Sequence, residues 1–381
     1  MRATFLLLLA ALIHFPSFAA DTELVLTVPA ETDLGVSGVA DTAETWLKMI
    51  EQAKDSSSSI DLEQFYVSEK EGEPLTPIVN AIKAAAGRGV PVRLIVDKKF
   101  LEKEPTGASI FEGVENIETR VIDFGQGVQH SKFFIVNGKQ AFFGSANFDW
   151  RALKHIHETG IRTDDAHVVQ SLQAVFEKDW KAAVASYKST GAKPATPASL
   201  KIAAPKELLF AVSPRPAFDS GMATTFDQLV TLIKSAKTSI QIQTYEYSTS
   251  VFGRRGEKWL ELQNLLLERA KDKHLKIELL VDETKSHDAN GLEELAKQGV
   301  EVRAVMIPEY SKGPIKFARL VHSKFLIVDG ARFWLGTDNF SKTYFTQSRG
   351  VGVITSHKKT AEQLSAVFER VWKSKYARPV R

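Results

Sequence analysis

HSKFFIVNG, residues 130–138, and HSKFLIVDG, residues 322–330, are two copies of one unit within a single chain. Each places a His-x-Lys at the head of an apolar run that ends in Asn-Gly or Asp-Gly, pairs suited to tight hairpin turns. Beyond each turn a second apolar run leads into Gly144-Ser145-Ala146-Asn147 or Gly336-Thr337-Asp338-Asn339. The pattern predicts a strand, a turn and an antiparallel strand. Side chains two apart along a strand share a face, so His130 is expected beside Lys132, and His322 beside Lys324. The returning strand should bring Ser145 and Asn147, and Thr337 and Asn339, next to those pairs.

The unit belongs to a larger repeat. An offset of 192 residues carries His130 to His322, Gly144 to Gly336, Asn147 to Asn339, Gly160 to Gly352, and AVFEKDW (174–180) onto AVFERVW (366–372). Upstream, both halves run through the same signals. ETWLKMIEQAKDS and FDQLVTLIKSAKT have helical periodicity, SIDLEQFYV and SIQIQTYEY read as strands, and VPVRLIVD and LKIELLVD follow further helices. Strands rich in Ile and Val alternating with amphipathic helices predict an α/β layered fold. The expected organisation is a segment 1–19, a first lobe 20–188, a linker 189–207 carrying three prolines, and a second lobe 208–381.

Composition narrows the chemistry. With 49 Lys and Arg against 46 Asp and Glu, net charge says little about polyanionic partners. The absence of cysteine excludes disulfides, thiol catalysis, zinc–cysteine sites and iron–sulfur clusters. Residues 1–19 combine Arg2, an apolar run from Phe5 to Ile13 and a small-x-small ending, the pattern of an export signal. The expected location is therefore the periplasm or outside the cell. No Walker-type loop, Gly-x-Ser-x-Gly or His-Glu-x-x-His occurs.

An imidazole, an ammonium, a hydroxyl and an amide on one face suit a phosphate group. A lone His-x-Lys reads as an ordinary strand-edge pair; its repetition in register, each time followed by Gly-[Ser/Thr]-x-Asn, points to one paired site. The pattern resembles the phospholipase D superfamily, whose signature is His-x-Lys-x4-Asp followed by Gly-Ser-x-Asn. The second copy matches at His322, Lys324 and Asp329; the first departs with Asn137 at the Asp position, which in the family is a structural support. The segments GSANFDWRALKHIHETG and GTDNFSKTYFTQSRG are similar to those of the vertebrate lysosomal phospholipase-D-like exonucleases and their poxvirus envelope relatives.

The resemblance implies two lobes about a pseudo-two-fold axis, with both His-x-Lys units in one cleft. It implies a phosphodiesterase working through phosphohistidine without metal or cofactor. In the family a downstream carboxylate holds the nucleophilic imidazole. Glu158 matches that place for the first copy, whereas the second has Gly350 there and Gln347 as the nearest, neutral, substitute. On this reading His130 is the nucleophile and His322 the acid/base.

Other groups carry weaker expectations. His155 and His157 flank no further metal ligand at suitable spacing and are expected in supporting roles. Asp149 and Arg151 are expected to pair locally. Tyr245, Glu246 and Tyr247 end a strand pointing either to the cleft or to the core. The basic runs RRGEK (254–258) and KGPIKFAR (312–319) suit either plain surface or contact with a polyanion or an anionic membrane. The substrate is left between single-stranded nucleic acid and a phospholipid head group, with hydrolysis or transfer both open. The competing reading is a catalytically impaired, phosphate- or membrane-binding envelope-type protein. Oligomeric state is not legible.

Overall fold

Asn137, Gly138, Asp329 and Gly330 all adopt left-handed backbone conformations, with φ of 58°, 60°, 54° and 64°. Two consecutive positive-φ residues form the turn whose twist fits an antiparallel pair, and both expected hairpins close there. The structure, a computed structural model, describes residues 20–103, 107, 109–187, 201–214, 222–286 and 291–380. The expected export signal and most of the expected linker lie outside the described residues.

The first half contributes β1 (Thr22–Thr27), β2 (Ala40–Asp41), β3 (Ile60–Gln64), β4 (Val67–Ser68), β5 (Val92–Asp97), β6 (Ile117–Ile122), β7 (Phe133–Val136), β8 (Gln140–Gly144), β9 (Phe148–Asp149), β10 (Glu158–Thr163) and β11 (Val184–Tyr187). The second contributes β12 (Leu208–Ser213), β13 (Ala223–Thr224), β14 (Ser239–Thr244), β15 (Lys276–Asp282), β16 (Glu301–Val305), β17 (Phe325–Val328), β18 (Arg332–Gly336), β19 (Gly350–Thr355) and β20 (Ala377–Pro379). Apart from the small β4–β9 ribbon, each half forms a nine-stranded sheet, ordered β11-β6-β5-β3-β7-β8-β10-β1-β2 and β20-β16-β15-β14-β17-β18-β19-β12-β13. The two orders correspond strand for strand. In both, a parallel set (β3-β5-β6; β14-β15-β16) adjoins an antiparallel set built around the hairpin.

The apolar runs are continuous because both faces of each sheet are covered. Phe133 and Ile135 face one way along β7, Phe134 and Val136 the other. The outer face of the first sheet packs on helices Thr42–Ile50 and Leu75–Gly87. That of the second packs on helices Thr225–Ser235 and Glu261–Arg269. The inner faces share a single core with helices Ala166–Ala182 and Lys358–Trp372, the pair carrying the repeated AVFE segments. Phe133, Phe143, Phe176 and Trp180 from one half meet Phe325, Leu335, Phe368 and Trp372 from the other in that core. Burying so many large side chains between the lobes docks them, since each contributes about 1.5–3 kcal/mol.

Polar clasps fix the docking. Arg349, from the second half, donates to Asp179 at 2.6 and 2.9 Å and to the Ser213 carbonyl at 2.6 Å, all buried. Backbone bridges join Gln129 to Arg349 and His157 to Val321. Gln129 and Val321, and likewise His157 and Arg349, are related by the 192-residue offset, so the joint obeys the same two-fold relation as the lobes.

Candidate active site

The two His-x-Lys units lie at one end of the shared core, immediately before β7 and β17. Sequence places them within the hairpin strands; instead they form extended segments paired across the lobe boundary. The His130 N–H donates to the Arg349 carbonyl, and the His322 N–H to the His157 carbonyl, both at 2.9 Å. Asp97 and Asp282, which end the matching strands β5 and β15, accept from Gln129 N and Val321 N at 2.7 Å. Each histidine is thus placed by the carboxylate of its own sheet and the backbone of the other lobe. The repeated LIVD and LLVD endings are the available signal for these two aspartates.

The rings are held from across the boundary as well. His130 Nδ1 lies 2.9 Å from the Thr337 carbonyl oxygen, and His322 Nδ1 lies 2.9 and 3.1 Å from the Glu158 carboxylate. A carbonyl or carboxylate acceptor requires the proton on Nδ1 and leaves Nε2 free in the neutral ring. Sequence pairs Glu158 with His130; the structure pairs it with His322. The 192-residue offset relates residues within each lobe, but the carboxylate reaches out of its lobe, so alignment alone assigns it to the wrong histidine. Gln347 does not replace it: the acceptor at His130 is Thr337, and Gln347 caps the short helix Lys342–Thr346 through its own backbone.

Both lysines are fully buried. Lys132 Nζ donates to the His130 carbonyl at 2.6 Å and lies 4.9 Å from the Phe65 ring centre. Lys324 donates to the His322 carbonyl and lies 5.6 Å from the Tyr245 ring. Phe65 and Tyr245 occupy matching positions after β3 and β14, and each ring also meets a histidine, at 4.9 and 5.1 Å. Tyr344 flanks His130 at 4.6 Å.

Burial and mutual repulsion govern the charges. Desolvation, with Lys132 and Lys324 close by, pushes His130 well below its usual range. Burial lowers His322 to about 4 against the pull of Glu158. Burial and Lys324 lower Lys132 strongly, and burial lowers Lys324 to about 7. Glu158 is opposed by burial, yet His322 and Lys324 keep it below the ordinary carboxylate range. The free site therefore crowds four basic groups that burial and mutual repulsion drive toward their neutral forms, and an arriving anion favours their protonation.

The remaining expected residues divide. Asn147 lines the cleft, and the side-chain oxygens of Asn147 and Asn339 meet no donor among the described residues. Ser145 and Thr337 instead turn inward. Ser145 Oγ accepts from Thr159 N at 3.0 Å and Thr337 Oγ1 from Val351 N at 3.0 Å, which binds each turn to β10 or β19. Asp329 accepts from the backbone N–H groups of Lys237, Thr238 and Ser239 at 2.7–3.1 Å. Asn137 accepts from the single backbone N–H of Ser59, at 3.1 Å. Both sit at the turn end of their hairpins and fix the approach to β14 or β3.

His155 is packed between Trp150 and Tyr310, and His157 Nδ1 lies 3.0 Å from Ser323 Oγ. Among the described residues no cluster of His, Asp and Glu suits a metal ion. Asp149 and Arg151 pair as expected. Tyr245 faces the cleft, whereas Tyr247 is core and donates to Gln263 at 2.6 Å.

The cleft above His322 has a volume of about 490 Å³ and is lined by Phe65, Tyr66, Phe100, Tyr245, Arg151, Lys316 and Phe317, among others. The loop KGPIKFAR thus borders the cleft. Its Phe317 is 62% exposed and holds φ at 61°, uncommon for a bulky residue. In the other basic run, Arg254 is paired with Glu257.

Two histidines and two lysines gathered at the lobe boundary, with His322 lining the cleft, on matching elements of a duplicated sheet, fit the pattern of one family. Residues 47–180 and 229–372 match the family described as "Cardiolipin synthase, PLD-like domain". The chain belongs to this phospholipase D-like family. It is 26% identical over 374 residues to Phospholipase D Z of Dictyostelium discoideum, covering 89% of this chain and 86% of that protein. It is likewise 26% identical over 401 residues to the human 5'-3' exonuclease PLD4, covering 93% of this chain and 78% of that one. The solved phosphatidylserine synthase of Haemophilus influenzae shares the fold, with a TM-score of 0.61 at 14% identity, over 89% of this chain and 85% of that one. Relatives bearing phospholipase and exonuclease names place this chain among the phosphodiester enzymes.

Proposed function

We propose that this protein hydrolyses phosphodiesters of single-stranded nucleic acid through a phosphohistidine on His322. The observation that carries the proposal is the Glu158–His322 contact beside the cleft, with His130 and both lysines close by at the lobe boundary. Nε2 of neutral His322 attacks phosphorus while the bond from phosphorus to the leaving oxygen breaks, and His130, protonated on Nε2 as well as Nδ1 once the anionic diester offsets the repulsion of the lysines, donates its Nε2 proton to that oxygen. The positive ring so formed is stabilised by Glu158. His130 then takes a proton from water, whose oxygen attacks phosphorus as the P–N bond breaks, restoring both rings. Lys132 and Lys324 offset charge on the non-bridging oxygens. The roles are the reverse of those expected from sequence, because among the described residues the one carboxylate touching either ring touches His322. No step requires a metal.

Nucleic acid is favoured by the walls. Phe65, Tyr66, Phe100, Tyr245 and Phe317 offer flat surfaces for bases, each stack being worth about 1–3 kcal/mol, while Arg151 and Lys316 suit the backbone. The exposed Phe317 at the mouth favours the second reading, a phospholipid head group. A 5′-labelled single-stranded oligonucleotide and a labelled phosphatidyl lipid, assayed side by side with His322→Ala as control, decide between them. The expected result is turnover of the oligonucleotide, unchanged by chelator.

With an aryl diester, whose leaving group needs no acid, His130→Ala should accumulate phosphate on His322. Phosphate found on His130 in His322→Ala would overturn the roles. We also propose that residues 1–19 direct export; N-terminal sequencing of the secreted protein should then begin at Ala20.

A further inference from the structure

The two-fold relation fails at one point inside the site. Glu158 corresponds to Gly350, and Asp338 corresponds to Ala146. Each half therefore carries one carboxylate, but at a different place. Asp338 is fully buried, and its side chain fills the volume that a side chain at position 350 would need. A Cβ built on Gly350 would fall inside the Asp338 carboxylate, against both oxygens and Cγ. One Asp338 oxygen accepts from Ser213 Oγ at 3.2 Å. The Thr225 hydroxyl also lies against the Asp338 side chain and favours the charged carboxylate. A carboxylate so fully enclosed is costly to keep charged, which makes it a candidate for a working role.

Its surroundings are those of the His130 half. Thr337, the preceding residue, supplies the carbonyl that holds His130 Nδ1 at 2.9 Å. The charged and titratable groups facing Asp338 are Lys132, Arg349, Lys324 and Tyr344. Burial pushes the carboxyl up to about 7 against the pull of Lys132 and Arg349.

We propose that Asp338 is the second lobe's catalytic-site carboxylate, displaced from position 350 to the Gly-Thr-x-Asn turn, where it positions His130 and supplies the counter-charge for Lys132. It is a positioning residue, since it acts on His130 through the Thr337 carbonyl and on Lys132 through space. The inference rests on the phosphodiesterase reading for its kinetic consequence. It also accounts for the unequal histidines. Glu158 touches the His322 ring and stabilises its cation, whereas Asp338 stands one residue behind the group that holds the His130 ring. A ring held by a neutral carbonyl gives up its proton more readily, as an acid/base must.

The test compares Asp338→Asn, Asp338→Ala and the double variant Asp338→Ala with Gly350→Glu, which copies the Ala146 and Glu158 arrangement of the first lobe. Hydrolysis of an aryl diester is followed from pH 5 to 9, with thermal unfolding of each variant and NMR titration of His130 alongside. The expected result for Asp338→Asn is a fall in kcat of about tenfold or more, little change in KM, an acidward shift of the alkaline limb as Lys132 loses its counter-charge, and an unfolding temperature no lower than wild type. The double variant should recover at least about fivefold over Asp338→Ala, the size of a modest charge-assisted contact. An Asp338→Asn enzyme within twofold of wild type with an unmoved pH profile would overturn the proposal. So would losses in Asp338→Ala that track unfolding and are not recovered by adding Gly350→Glu. The NMR titration needs no turnover: an inactive wild type would sink the phosphodiesterase reading, while a His130 titration that does not respond to Asp338→Asn would sink this one.

Discussion

Replacing Glu158 with Gln removes a charge while keeping the side chain's shape, at a site where the structure makes a definite demand. The carboxylate is completely buried and approaches His322 Nδ1 at 2.9 and 3.1 Å. A hydrogen bond to a charged partner contributes about 1.5–3 kcal/mol. At about 1.4 kcal/mol per tenfold in rate, its loss should slow phosphorylation roughly 10- to 150-fold. Should the Gln amide turn its NH2 toward Nδ1, the ring would be driven to the other tautomer and Nε2 would lose its lone pair. The loss then extends toward about 10⁴, as for the amide replacement in a serine-protease triad. Single-turnover kinetics with an aryl diester isolates the first chemical step. The same substitution made in a His322→Ala background should add almost nothing, because groups acting through one another are not additive. Two results would refute the reasoning. One is Glu158→Gln within threefold of wild type. The other is a full loss added on top of His322→Ala, which would return Glu158 to His130.

Further outcomes follow from the same geometry. Lys324 titrates at about 7 in the free protein, so its charge is lost as pH rises; kcat/KM should fall above about pH 7, and initial rates at low substrate across pH 5–9 will show that limb. His155, His157 and His322 are each lowered to about 4 from 6.5. Such depressed values mean stability present above pH 6.5 that drains away as pH falls toward 4, which thermal unfolding at stepped pH will record. Arg349→Met strands Asp179 in the lobe boundary and should cost about 3–5 kcal/mol, read by denaturant unfolding. Asp329→Ala removes one acceptor from three backbone N–H groups and should cost about 0.5–2 kcal/mol while leaving kcat within twofold.

Much of this architecture is legible in the sequence, and the reasons are local. Asn137-Gly138 and Asp329-Gly330 dictate their turns through backbone conformation, and the alternating faces of Phe133–Val136 dictate burial on both sides. The offset that joins His130 to His322 makes one site from two motifs. What escapes are interactions between lobes. Sequence matches Glu158 with the histidine of its own half, whereas the carboxylate crosses to His322; within each lobe, the Ser145 and Thr337 hydroxyls are also engaged with β10 and β19. Asp338 goes unnoticed because its counterpart is Ala146, which breaks the repeat rather than obeying it. Asp97 and Asp282 are visible only as strand ends. A repeat reports what two halves share, and function here depends also on how one half completes the other.

The backbone bridges Gln129–Arg349 and His157–Val321 bear on how such a molecule comes apart. Each imidazole takes its tautomer and its main-chain anchor from the opposite lobe. An undocked first lobe would therefore hold an unguided histidine beside a bare face of Phe133, Ile135 and Phe143. Neither lobe alone carries both halves of the site, so the proposed chemistry requires the interface to be closed. On that reading, the half synthesised first has to wait for its twin before it can act.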